Sequence, residues 1–264
     1  MSCRLPPPLA RTALDEFVWR PKAGSTRVFF DPEIEPLEQQ NVSVYRYGSL
    51  PETLALIPEG QWRFKRPDAW DDPYEKHVGS CLFGAQGPFR RIRAYAKCFS
   101  FEYHSEPMWR LFGSADGLVR MTFKLRDLVN ALECATHGDG KRPKLYVGRV
   151  RYMPQAAIRA SVDQLTANPR KGVSRFAMHA LLMKRNGFIF ENEIRVCFLF
   201  SEEDEPEPTR MVGGVVPSII NDMLLDPYAS RPIAHAWKRL LTEVHGAQCP
   251  IEQSKFNLDP TSFT

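Results

Sequence analysis

Three charged side chains interrupt an apolar stretch of the chain, and their types and spacing are the first indication of chemistry. Glu191, Glu193 and Arg195 lie within FIFENEIRVCFLF, residues 188–200. If this stretch is a β-strand, residues two apart share a face, so the three charges point together. Two carboxylates in a partly buried site repel each other and favour a nearby cation. The stretch predicts a polar patch or the floor of a pocket, although a solvated surface ion pair would have the same pattern.

A second cation with an unusual position is Arg46, which stands between two tyrosines in YRY, residues 45–47. A guanidinium in the middle of a strand indicates bidentate contact with a carboxylate or a phosphate. An ordinary exposed strand position with aromatic neighbours is the alternative interpretation.

The elements that must position these residues are strands with intervening helices. They include a strand over 42–47 and the strand over 188–200, without a regular βαβ period, which favours an α+β fold. Ser49, Glu52 and Gly60 predict the start, first turn and end of a short helix. Asp72 before Pro73 predicts a turn, with a helix beginning near Glu75.

The domain organisation follows from composition. Residues 1–40 are rich in proline and then acidic, which predicts an irregular N-terminal extension with a short strand at TRVFF, and residues 41–264 form a single α+β domain. Of the 264 residues, 43% are hydrophobic and 25% charged, which is typical of a globular protein and not of a disordered one.

Charge and cysteine usage restrict the function classes. A net charge of +4 permits an anionic ligand but does not by itself indicate nucleic acid binding. The six cysteines form no CxxC pair, so we predict no metal site of that kind and a reduced, cytoplasmic protein. No run of about 18 apolar residues predicts a membrane span.

Taken in order, the segments YRYGSL, WDDPYE, KCFS, MWRLFG and LLMKRNGFIFENEIRV, followed by IINDMLLDPYAS, resemble a widespread bacterial family known only as a domain of unknown function. The AbiGi-type phage-resistance proteins are similar to it. The resemblance runs from about Tyr45 to Phe256. That family in turn resembles the ADP-ribosyltransferase superfold, a twisted split β-sandwich that binds NAD.

The resemblance implies roles for particular residues. Glu193 in ENE matches the late-strand catalytic glutamate of the superfold, and Glu191 the glutamate two positions earlier that helps to position an acceptor. Arg46 and Ser100 match the early-strand and middle-strand residues that bind the cofactor. A ring from Tyr45, Tyr74 or Trp109 would stack on nicotinamide.

The implied function is an NAD-dependent ADP-ribosyltransferase or NAD glycohydrolase of a bacterial defence or toxin system, with NAD as substrate and an acceptor that is protein, nucleic acid or water. Two alternatives come from other classes. One is a non-catalytic binding module or antitoxin-like partner on the same fold. The other is a nuclease that uses Asp72, Glu75, Glu191 and Glu193 around a divalent metal ion.

Overall fold

The structure is a computed structural model that describes residues 19–112, 117–135, 143–167, 173–200, 207–213 and 217–255. Its strands are β1 (Arg20–Pro21), β2 (Val28–Phe30), β3 (Ser43–Ser49), β4 (Trp62–Lys65), β5 (Arg93–Ser100), β6 (Leu118–Lys124), β7 (Lys144–Arg149), β8 (Arg151–Met153), β9 (Met183–Arg185), β10 (Glu193–Phe200), β11 (Thr209–Val212), β12 (Ile220–Leu225) and β13 (Ile251–Gln253).

The helices of the described part surround these strands. They are α1 (Ile34–Gln39), α2 (Leu50–Glu59), α3 (Pro73–Phe83), α4 (Glu106–Phe112), α5 (Leu125–Ala135), α6 (Gln155–Ala167), α7 (Val173–Ala180) and α8 (Arg231–Arg239). Short 3₁₀ turns cover Pro67–Ala69, Asn186–Glu191 and Pro217–Ile219, and a π-helical turn over Leu240–Val244 extends α8. The predicted α+β class is confirmed.

Most of the strands form one mixed sheet in the order β1-β2-β7-β10-β5-β3-β6-β12-β13, with β4 pairing both β5 and β11. Neighbours are antiparallel except for β2 with β7 and β12 with β13. Strands β8 and β9 form a separate parallel pair.

The centre of this sheet is held by a narrow joint. Strand β3 pairs with β6 over its whole length but with β5 at a single position, Tyr45 opposite Ser100. Beyond that position, β5 pairs with β4 through Lys65 and Ala96. The sheet therefore opens between β3 and β5, and its two halves diverge from the joint.

The main hydrophobic core occupies one face of both halves, which we call the inner face. Val44 of β3, Met121 of β6 and Val196 of β10 all belong to it and are fully buried. The opposite, outer face of β5, β7 and β10 carries a second apolar cluster, which α3, α6 and α7 cover. Each face of the sheet therefore has its own core, as expected for a sheet with helices on it.

Two predictions about elements require correction. The segment 20–39 is not an irregular extension, because β2 pairs in parallel with β7 and Ile34 of α1 is buried in the main core. The predicted strand at TRVFF is confirmed as β2, and residues 1–18 lie outside the described residues. The strand predicted over 188–200 begins only at Glu193, since Asn186–Glu191 form a 3₁₀ turn.

The helix start predicted at Ser49 is confirmed, and the turn predicted at Asp72 is the cap of a helix. Ser49 accepts a hydrogen bond from the backbone N–H of Glu52 and caps α2, and Gly60 ends that helix in the left-handed conformation with φ 60°. Asp72 caps α3 by accepting from the N–H groups of Tyr74 and Glu75. These caps place Glu52 and Glu75 in the first turns of their helices, and both glutamates matter below.

Candidate active site

Five charged side chains meet on the outer face of the sheet, and we call them the outer cluster: Glu75, Lys184, Glu191, Glu193 and Arg195. Lys184 lies at their centre. Its Nζ donates to Oε2 of Glu191 and to Oε2 of Glu193 at 3.0 Å, and it lies 3.5 Å from Oε2 of Glu75. One ammonium group therefore binds three carboxylates.

Arg195 completes the outer cluster from the strand β10. Its Nε donates to Oε1 of Glu193 at 2.7 Å and its Nη2 to Oε2 of the same carboxylate at 3.2 Å. Nη2 also donates to Glu75, and Nη1 donates to the carbonyl of Leu181 at 2.5 Å. The ring of Trp70 lies 4.5 Å from the guanidinium carbon and covers it.

The two glutamates reach Lys184 by different routes. Glu193 is the first residue of β10, whereas Glu191 ends the 3₁₀ turn. Asn192 between them has φ 41°, a left-handed conformation that asparagine tolerates and that redirects the chain. The predicted proximity of the two carboxylates is thus observed, but a turn produces it and strand alternation does not.

The pKa values of the two carboxyls move in opposite directions. Burial raises the pKa of Glu193, but the nearby Arg195 and Lys184 outweigh it and hold that pKa well below its usual range. Burial and the charge of Glu193 raise the pKa of Glu191 to about 7, against the opposing effect of Lys184. Neighbouring carboxyls with separated pKa values are the usual pattern of an acid–base pair.

A narrow slot leads from the surface to the outer cluster. Its described lining comes from the turn Pro67–Ala69 and from α3, α6, α7 and β9, and the charged residues among it are Glu75 and Lys184. Trp70 and Tyr74 also line it, and the ring of Tyr74 carries the guanidinium of Arg185 at 4.8 Å. The slot therefore combines aromatic walls with an ion pair at one end, and its free volume of about 10 Å³ has room for about one water molecule.

Strand register decides which predicted residues share the outer face. Directly paired residues in antiparallel strands lie on the same face. Ser100 is paired with Glu193 on one side and with Tyr45 on the other, so these three residues form one row across β10, β5 and β3. Ser100 is buried, and its hydroxyl donates to the carbonyl of Glu191 and accepts from the N–H of Glu102.

Arg46 follows Tyr45 in β3 and points to the inner face, away from Glu193. There it forms what we call the inner cluster with Glu52 and Lys97: its Nη2 lies 3.2 Å from Glu52, and Lys97 donates to the same carboxylate at 2.5 Å. Its Nη1 donates to the carbonyl of Cys98 at 3.2 Å. Arg46 thus links β3 and β5 where their backbone pairing has ended, and it does not share a cleft with Glu193.

The three predicted ring residues lie in separate places. Tyr74 lines the slot, with its hydroxyl donating to the carbonyl of Gln155 at 3.4 Å. Tyr45 lies on the outer face of β3, with its ring 5.0 Å from the guanidinium of Arg120. Trp109 is 1% exposed and packs edge-on against Tyr47, so its ring is enclosed by protein.

Sequence reasoning missed the central member of the outer cluster. Lys184 follows a run of apolar residues, LLM, and nothing in its local pattern marks it. Glu75 was expected only as a helix start and as a possible metal ligand. Its place three residues after the cap Asp72 is the signal that could have identified it, since a first-turn glutamate has a fixed direction once the cap is known.

The metal alternative can be compared with the described residues. Among them, no group of three or more His, Cys, Asp or Glu has an arrangement that could hold a metal ion. The carboxylates of Glu75, Glu191 and Glu193 are bonded to Lys184 or Arg195, and Asp72 pairs with Arg185 at 2.9 Å.

Within the described part of the chain, each helix is too short or too polar to cross a lipid bilayer.

Comparison of the chain with models of protein families, with curated proteins and with solved structures found no match. Inferences about function therefore depend on the geometry of the site.

Proposed function

We propose that the protein is an NAD-consuming enzyme, an ADP-ribosyltransferase or an NAD glycohydrolase of a bacterial defence or toxin system. The observation that carries this proposal is the pair Glu191 and Glu193, which share Lys184 and have pKa values displaced in opposite directions. Perturbed carboxyls next to a slot are the usual mark of an active site.

The sheet order supports the proposal. The strands that carry Arg46, Ser100 and Glu193 are neighbours in the order β3-β5-β10. The joint between β3 and β5 is a single residue pair, which agrees with the split sheet that the resemblance to ADP-ribosyltransferases implies. The row Tyr45, Ser100 and Glu193 would then represent the early, middle and late strands of that superfold.

The chemistry suits the outer cluster. Breaking the bond between nicotinamide and ribose develops positive charge on the ribose, and a fixed carboxylate stabilises that charge more in the transition state than in the ground state. Nicotinamide would stack on the ring of Trp70 or Tyr74 beside Lys184 and Glu75 only after the slot widens, because in this structure the slot has room for about one water molecule. Because the groups are already held in place by ion pairs, they need little reorganisation during the reaction.

The position of Arg46 changes one expected role. A guanidinium on the inner face does not reach a ligand bound beside Glu193, so another cation must meet the pyrophosphate. Arg185 is suited to it, since its side chain is 34% exposed and stacks on Tyr74 at the slot. Its pairing with Asp72 at 2.9 Å holds the guanidinium there.

The test is to incubate the purified protein with NAD and to measure released nicotinamide by chromatography. We expect release by the wild-type protein and a fall of about 10²-fold or more in Glu191→Gln and Glu193→Gln. Glu243→Gln is the matched control, because that carboxylate pairs with Arg239 on the surface. A folded wild-type protein that neither binds nor cleaves NAD, or glutamate variants with unchanged rates, would contradict the proposal.

A second candidate is a non-catalytic binding module on the same fold. It is favoured by the separation of Arg46 from Glu193 and by the ion pairs that occupy both oxygens of Glu193. Calorimetric titration with NAD distinguishes the two, since a module would bind NAD without releasing nicotinamide.

A further inference from the structure

The two glutamates of the outer cluster do not have equal roles. We propose that Glu191 is the carboxylate that takes up and releases a proton, and that Glu193 is a positioning residue that holds Lys184 and Arg195. The assignment of proton exchange stands on the contacts of the two carboxylates and on the charge balance of the outer cluster, and its consequence for the reaction rests on the proposed function.

Glu193 has at most one acceptor position left for a reacting group, because three donors already occupy three of the about four positions of its carboxylate. Its Oε1 accepts from Nε of Arg195 at 2.7 Å, and its Oε2 accepts from Nζ of Lys184 at 3.0 Å and from Nη2 of Arg195 at 3.2 Å. Only 3% of its side chain is exposed. Two cations bonded to one buried carboxylate keep it ionised, and moving it would leave both cations uncompensated.

Glu191 is bound much less completely. Its Oε2 accepts from Lys184, and its carboxyl forms one further side-chain contact, with the neighbouring carboxylate of Glu193. Its side chain is as buried as that of Glu193, so the two carboxylates differ in their partners and not in their exposure. Glu191 also ends a 3₁₀ turn, whereas Glu193 is held within the β10 ladder.

Charge balance gives the same assignment. The outer cluster has three carboxylates and two cations, so one added proton makes it neutral. Burial and the charge of Glu193 raise the pKa of Glu191 to about 7, which places that proton on Glu191.

The titratable and charged groups on the elements around Glu191 are Glu75 of α3, Cys98 of β5, Glu106 and Arg110 of α4, Arg151 and Tyr152 of β8, Lys184 and Arg185 of β9, and Glu193 and Arg195 of β10.

In the proposed reaction with water, the ionised Glu191 is the general base. The bond between C1′ of the ribose and the ring nitrogen breaks, and its electron pair leaves with neutral nicotinamide. A water oxygen bonds to C1′ while Glu191 takes one of its protons, which later passes to solvent. The products are ADP-ribose, nicotinamide and one proton, so atoms and charge balance.

The experiment follows the glutamate carboxyl carbons by NMR of ¹³C-labelled protein between pH 4 and 9, without NAD. We expect one carboxyl to titrate near pH 7 and to be lost in Glu191→Gln. Glu243→Gln is the control that should retain it. A titration near 7 that persists in Glu191→Gln, or a Glu191 carboxyl that titrates near its ordinary value of about 4.3, overturns the assignment.

Glu193→Gln separates a positioning role from a merely structural one. Removing the like charge should lower the titration midpoint of Glu191 by about one pH unit or more, whereas an unchanged midpoint would contradict the role given to Glu193. If this variant does not fold, the comparison of wild type with Glu191→Gln still decides which carboxylate exchanges the proton.

The NAD assay then separates the two proposals. Nicotinamide release that rises with pH through the same midpoint, and falls about 10²-fold in Glu191→Gln, supports both. Titration near pH 7 without NAD cleavage contradicts the proposed function and leaves the proton assignment standing. NAD cleavage that is unchanged in Glu191→Gln contradicts Glu191 as the base.

Discussion

The outer and inner clusters are a buried and a half-buried set of charges on opposite faces of one sheet, and their composition differs. The outer cluster has three carboxylates around Lys184 and Arg195, whereas the inner cluster has one carboxylate, Glu52, between Arg46 and Lys97. An excess of carboxylates favours an added proton, and an excess of cations favours a lost one.

The pKa values follow this difference. In the outer cluster the pKa of Glu191 is raised to about 7. In the inner cluster, burial and the neighbouring Arg46 lower the pKa of Lys97 to about 8, although Glu52 opposes them, and the two cations lower the pKa of Glu52 to about 2 against its own burial. Both pKa values fall although the two groups form an ion pair. Glu52 has two cations beside it, which outweigh its burial, whereas for Lys97 burial and the charge of Arg46 outweigh the one carboxylate.

The clusters nevertheless share one construction. Each receives a glutamate from the first turn of a helix, three residues after the cap: Glu52 after Ser49 in α2, and Glu75 after Asp72 in α3. In a capping box such a glutamate bonds back to the cap residue. Here the two carboxylates instead bind cations on the sheet, so each cap fixes the direction in which its glutamate side chain points.

The largest expected effect comes from breaking the outer cluster. Arg195→Met removes a fully buried guanidinium and leaves Glu193 and Glu75 without it, so we expect the free energy of unfolding to fall by about 3–5 kcal/mol. Urea denaturation measures the change. Arg239→Met breaks an exposed pair with Glu243 and should change the free energy of unfolding much less than Arg195→Met does. A similar effect of both variants would show that burial of the outer cluster is unimportant.

The inner cluster should be less costly to break, because Glu52 is 29% and Arg46 21% exposed at their side chains. Glu52→Gln leaves two cations facing each other, and we expect a loss of about 2–3 kcal/mol in the free energy of unfolding after allowing for solvent screening. If Glu52→Gln loses more free energy of unfolding than Arg195→Met in the same urea experiment, the prediction that the outer cluster contributes more to stability is wrong.

The pH dependence of stability should have opposite signs in the two clusters. The folded pKa of Glu191 is raised, so its contribution is present below the unfolded value of about 4.3 and is lost as pH rises through 7, amounting to about 3–4 kcal/mol. The folded pKa of Lys97 is lowered, so its contribution is present above about 10.4 and is lost as pH falls towards 8.

Unfolding free energies between pH 5 and pH 10 measure both contributions. The decrease between pH 5 and 8 should be smaller in Glu191→Gln than in wild type, and the increase between pH 8 and 10 should be smaller in Lys97→Met. Curves for the variants that run parallel to the wild-type curve would contradict the sign given to each cluster.

The smallest effects should come from the caps. Ser49→Ala and Asp72→Ala each remove a side-chain acceptor at a helix start, at a cost of about 1 kcal/mol, and Asp72→Ala should cost more because Asp72 also pairs with Arg185. Thermal unfolding measures both. If the caps aim the glutamates, Asp72→Ala should also shift the titration of Glu191, and Ser49→Ala should leave it unchanged.

Local features of this protein were predictable from its sequence. The cap at Ser49, the end of its helix at Gly60, the turn at Asp72 and the short strand at TRVFF depend on a few neighbouring residues, and local chemistry decides them. The proximity of Glu191 and Glu193 was also predicted, although strand alternation was the wrong reason.

The composition of each cluster was not predictable in the same way. Lys184 has no local mark, and Glu75 lies about a hundred residues before it in the chain. Only the packing of α3 and β9 against β10 brings them to Glu193. The order of charged positions along the chain did not show which of them would meet.

The sequence by itself thus determined local features, such as the helix start at Ser49 and the turn at Asp72, which place Glu52 and Glu75 in the first turns of their helices. The tertiary structure alone decided that Lys184 and Glu75 lie in the outer cluster and that Arg46 lies on the opposite face. The physical reason is register: Ser100 pairs with both Tyr45 and Glu193, and a shift of one residue along β3 would exchange the faces of Tyr45 and Arg46.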